Sequence, residues 1–95
     1  MSSKYERKPS QEPTPSESAA IHDFAASRGF RVGRISVQGN HWYYWLRGHF
    51  RLSNIASIYV VSAQSADGTP HQIHVAFDPI FKSKQLQVLV ERRAP

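Results

Sequence analysis

At Phe30 the spacing of apolar residues changes from the three- and four-residue steps of a helix to alternation, and it stays close to alternation as far as Glu91. A period of two is the signature of a strand with one buried face. Five runs carry it, at 30–38, 41–52, 55–64, 71–77 and 85–91. Turn chemistry separates them: Gly39-Asn40 reads as a two-residue hairpin, Ser53-Asn54 as a tight link, Asp67-Gly68 with Pro70 as a longer hairpin loop, and Asp78-Pro79 as a break. Parallel neighbours need crossovers of roughly a dozen residues or more, so links this short make the strands antiparallel.

Ahead of the strands, Ile21, Phe24 and Ala25 share one face of a short helix. Ser16 is placed to cap it, Glu17 and Asp23 lie toward its positive end, Arg28 lies near its negative end, and Gly29 offers a left-handed stop. So narrow an apolar stripe cannot hold a helix in water alone, and the sheet is its expected support, at an edge or open end. The expected fold is mainly β within the α+β class: a short N-terminal helix followed by a five-stranded antiparallel, strongly curved sheet or small barrel. The first run supports bending. Phe30 and Val32 point one way by parity and Ile35 and Val37 the other, with Gly33 between them. A β-bulge at Gly33 brings all four to one face.

Residues 1–15, with Pro9, Pro13 and Pro15 among Ser and Glu, read as a disordered tail, and 16–95 as a single small β-rich domain. The chain has 95 residues, enough for one domain, and 40% hydrophobic residues, enough for a core. It has no cysteine, which removes disulfides, thiolate metal sites and thiol nucleophiles and fits a cytoplasmic setting. No apolar stretch approaches the roughly 20 residues of a membrane helix, and Met1 to Lys8 does not resemble a secretory signal. No membrane partner is expected.

The net charge of +5 is unevenly spread. Three basic and three acidic residues cancel within 1–20, leaving nine basic against four acidic in 21–95. Its most informative carrier is the segment 41–52. Read as a strand, its even positions Trp42, Tyr44, Leu46, Phe50 and Leu52 face a core, while His41, Tyr43, Trp45, Arg47, His49 and Arg51 face outward. A hairpin at Gly39-Asn40 sets Ile35 opposite Tyr44 and Arg34 opposite Trp45, where guanidinium and indole can stack. The expected site is therefore Arg34, Tyr43, Trp45, Arg47 and Arg51, with His41 and His49 at its margins. Lys82 and Lys84, with Arg92 and Arg93, form a second basic cluster that extends a phosphate track or merely protects a sheet edge.

Arginines pair with phosphates, and exposed rings stack on bases. The preferred function is thus non-catalytic binding of single-stranded RNA or DNA. A protein-interaction or self-assembling module, pairing with a protein partner or forming a homo-oligomer through the same face, is the alternative, and a small ribonuclease the third reading. No catalytic constellation, glycine-rich phosphate loop or nucleophile elbow is present, and no cofactor is implied. The histidines do not gather into a metal site: His71 and His74 fall on opposite strand faces, and His41 and His49 lie roughly 26 Å apart along a strand. The remaining runs are structural. Ile73, Val75 and Phe77 alternate with polar residues, as do Leu86, Val88 and Val90, whereas Ile55, Ile58, Tyr59, Val60 and Val61 are apolar on both faces and mark a central strand.

Overall fold

The computed structural model describes residues 12–38, 44, 48, 52, 53, 55–80 and 85–94. A helix, α1 (Pro15–Ser27), is followed by four strands, β1 (Arg31–Gln38), β2 (Ser57–Gln64), β3 (Pro70–Phe77) and β4 (Leu86–Arg93). The strands form one antiparallel sheet in the order β1-β2-β3-β4. This is a mainly β architecture with one helix.

Thr14, not Ser16, caps α1. Its hydroxyl accepts from Glu17 N at 3.1 Å while Glu17 Oε1 accepts from Thr14 N at 3.0 Å, a reciprocal capping box with Pro15 in the first helical turn. The same Glu17 oxygen accepts the Tyr59 hydroxyl at 2.6 Å, which ties the cap to the sheet. At the other end Gly29, at φ +74°, takes the left-handed stop read from the sequence. Arg28 beside it pairs with Glu91 on β4 and lies over the Phe24 and Phe30 rings.

The sheet has two covered faces. On the first, Ile21 of α1 is fully buried among Tyr59, Val61, Ile73, Val75 and Phe77, with Phe24 packed beside it. The helix therefore lies across a face, rather than at an edge or open end. Phe30, Val32, Ile35 and Val37 all join this cluster, because the β1–β2 register shifts between Val32 and Arg34. The bulge at Gly33 is present, and it unites the two parities of β1 as the sequence requires. A second shift, between His74 and Val75 against β4, separates Leu86 from Val90: Leu86 packs on the first core and Val90 on the second. Straight alternation through Leu86, Val88 and Val90 is thus corrected by a bulge with no glycine to announce it.

On the second face, Tyr44, Leu52 and Ala56 cover Ile58, Ala76 and Leu89. Here the expected five-stranded curved sheet or barrel gives way, among the described residues, to an open four-stranded sheet that is not strongly curled. Within 41–52 the described residues are Tyr44, which is helical, Gly48, which lies in a turn, and Leu52, and none of the three is in a strand as the alternation implied. β1 pairs instead with β2, Ile35 opposite Val61 and Val37 opposite Tyr59. Ile35 and Tyr44, expected as partners, belong to cores on opposite sides of the sheet. The physical reason lies in β2. A strand apolar on both faces needs two covers, and α1 supplies one while Tyr44 and Leu52 supply the other. Four strands are too few to close, and β1 and β4 stand roughly 14 Å apart across two intervening strands.

The links around β3 match their turn chemistry. Ser65 N donates to Thr69 O at 3.0 Å and Gly68 N to Ser65 O at 2.9 Å in the β2–β3 hairpin. The Ser65 hydroxyl, with help from Thr69, holds the Asp67 carboxyl in that turn well below the ordinary carboxylate range. Asp78 ends β3 and is fully buried, accepting from Ser53 N at 2.8 Å, Ser53 Oγ at 2.7 Å and Ile80 N at 3.0 Å.

Candidate basic sheet face

Parity and register assign each strand residue to a face. Opposite α1, β1 presents Arg31, Arg34, Ser36 and Gln38; β2 presents Ile58, Val60, Ser62 and Gln64; β3 presents Gln72, His74 and Ala76; and β4 presents Gln87, Leu89, Val90 and Arg92. This face divides in two. Its upper half carries the apolar patch of Ile58, Ala76 and Leu89 under Tyr44 and Leu52. Its lower half is a polar shelf, crossed by the row Arg34, Ser62, Gln72 and Arg92, one residue from each strand in register.

No Asp or Glu belongs to this face among the described residues. Glu12 stands with Ser18 and His22 of α1 beside Val32 and Ile35, Glu17 and Asp23 are on α1, Glu91 turns to Arg28 on the helix side, Asp67 is held in its own turn and Asp78 is buried. Arg31 and Arg34 are exposed, and neither has a hydrogen bond or ion pair among the described residues. Arg92 is exposed as well, and donates to Gln72 Oε1 from Nε at 3.1 Å and from Nη2 at 2.7 Å.

A hydrogen-bonded chain joins the shelf to the covered half. His74 Nε2 lies 3.4 Å from Gln72 Oε1, which can only accept, so the ring proton resides on Nε2. His74 Nδ1 then accepts the Tyr44 hydroxyl at 2.7 Å, with the two rings edge-on at 5.7 Å between centroids. Tyr44 and His74 are both buried. The line Tyr44, His74, Gln72, Arg92 runs from the core out to a surface guanidinium and fixes the Gln72 carboxamide with its oxygen filled and its NH2 group unengaged among the described residues.

Of the residues expected at the site, Arg34 stands on this face. Tyr43, Trp45, Arg47, Arg51, His41, His49, Lys82 and Lys84 lie outside the described residues, as does the pairing of Arg34 with Trp45. The segment's described anchors, Tyr44 and Leu52, sit over the same face as Arg34 and are buried, as the even positions were expected to be. Arg92 of the second basic cluster joins Arg34 across the sheet, whereas Arg93, opposite His71, belongs to the helix side. Arg31 is the basic residue of this face not expected at the site, and the bulge at Gly33 is the signal that brings it to one face with Arg34. Gln72 carried no signal of its own. His71 and His74 do fall on opposite faces: His71 packs on Phe30 at 4.9 Å and His74 on Tyr44. Among the described residues no group of three metal-ligating side chains comes together.

Comparison of the chain with known protein families, with curated proteins and with solved structures finds no match. Among the described residues no helix is long and apolar enough to cross a membrane.

Proposed function

We propose that this protein binds single-stranded nucleic acid, without catalysis, along the shelf formed by Arg31, Arg34 and Arg92. One observation carries the reading: three guanidiniums share a sheet face that holds no carboxylate among the described residues. Arginines with no carboxylate partner on a strand scaffold attract phosphate oxygens, and an open sheet that is not strongly curled admits an extended strand more readily than a duplex. Tyr43, Trp45, Arg47 and Arg51, with His41 and His49, are proposed to add stacking and charge from the segment that Tyr44 and Leu52 anchor on this face. Lys82 and Lys84 are proposed to lengthen the phosphate track. A cytoplasmic setting agrees with a chain free of cysteine.

The test is fluorescence anisotropy of a labelled single-stranded oligonucleotide, with polyglutamate of equal charge as competitor. Binding that resists polyglutamate supports the proposal. Equal displacement by the acidic peptide points to a protein partner, and no binding at low salt removes the reading.

A further inference from the structure

A hollow of about 410 Å³ opens at the lower end of this shelf, bounded by Arg31 and Gly33 on β1, Ser62 and Gln64 on β2, and Pro70 and Gln72 on β3. Its floor is the register pair Ser62 and Gln72, and Arg34 and Arg92 continue that row on either side. The bulge makes the wall: an extra residue at Gly33 places both Arg31 and Arg34 beside the floor without turning either toward the core. The polar residues around the hollow are Arg31, with no hydrogen bond or ion pair among the described residues, Ser62, Gln64, Gln72 and His71. The one carboxylate in the adjoining turn, Asp67, is engaged by Ser65 and Thr69.

Gln72 gives the hollow a directional chemistry. Its oxygen is filled by Arg92 and His74, which leaves its NH2 as a donor to a ligand. A donor group flanked by arginines fits a carbonyl-bearing ring with an anion on each side. We propose that this hollow is a subsite for one nucleotide unit of a single strand. The unpaired base lies over Ser62, its carbonyl oxygen accepts from Gln72 Nε2, the Arg31 plane packs on the ring, and Arg31 and Arg34 hold the flanking phosphates. The inference rests on the nucleic-acid reading above and adds to it a preference for a base over bare backbone.

The experiment compares binding of an oligouridylate with that of an abasic oligomer of the same length and charge, using the full chain, Ser62→Leu and Gln72→Met. Ser62 is exposed, so a leucine there fills the hollow without touching the core or the charges. The expected result is a preference of about tenfold for oligouridylate in the unaltered chain, lost in both variants, with abasic binding changed by less than about twofold in Ser62→Leu. Equal binding of the two oligomers by the unaltered chain overturns the subsite while leaving the phosphate shelf intact. A preference that survives Ser62→Leu overturns it too, whatever Gln72→Met does to folding. Binding of neither oligomer overturns the shelf and the subsite together.

Discussion

Tyr44 and His74 show how single side chains decide which surface this protein buries. Their hydrogen bond joins residues 30 apart in sequence, and it fixes the cover of the second sheet face to the strand beneath it. Tyr44→Phe keeps the ring and removes the donor to a buried nitrogen, so it is expected to cost about 1 to 3 kcal/mol in urea unfolding. Asp78→Ala strips the acceptor from Ser53 N, Ser53 Oγ and Ile80 N at once and is expected to cost more than Tyr44→Phe in the same assay. Asp67 provides a pH signature. Its folded carboxyl titrates below its unfolded value of about 4, so its contribution to stability is present above that value and is lost as pH falls through the folded value. The stability difference between the unaltered chain and Asp67→Asn is therefore expected to be constant at neutral pH and to shrink below about pH 4. A difference that grows in acid would contradict the Ser65 and Thr69 contacts as its cause.

At the scale of elements, the β1 bulge is the device that makes a strand of mixed parity into a strand of one face. Deleting Gly33 removes the extra residue and turns either the Phe30 and Val32 pair or the Ile35 and Val37 pair away from α1, which is expected to abolish cooperative unfolding. Gly33→Ala tests the alternative that glycine itself is needed. A Cβ there meets Ser62 O at 3.4 Å and no left-handed angle is required, so the change is expected to stay within about 1 kcal/mol. Thr14→Ala, which opens the capping box, is expected to cost about 1 kcal/mol and to lower helical circular dichroism. The β1 bulge was legible in the sequence because four apolar residues of two parities flank a glycine. The helix face, the β2–β3 turn and the end of β3 were legible for the same reason, each carrying a local chemical signal. The places of Tyr44 and Leu52 were not. Alternation in an apolar run does not distinguish strand residues from residues that cover a sheet, and what decides between them is the two-sided demand of β2, which is set by distant partners.

Across the sheet as a whole, the described carboxylates lie on the helix side, in a turn or buried, while Arg31, Arg34 and Arg92 stand on the far side with no carboxylate beside them among the described residues. Of this surface the sequence made Arg34 legible through parity. It concealed the partnership of Arg34 with Arg92, because register across three strands cannot be counted from one end of the chain when two bulges intervene. Phosphate binding by this face shows most directly in the salt dependence of oligonucleotide binding. Each phosphate contact to a single strand contributes about 0.7 to the slope of log affinity against log salt. The triple variant Arg31→Gln, Arg34→Gln, Arg92→Gln is therefore predicted to bind more weakly at low salt, with a slope shallower by about 2 than that of the unaltered chain. An unchanged slope in a folded triple variant would contradict the claim that this face meets the phosphates.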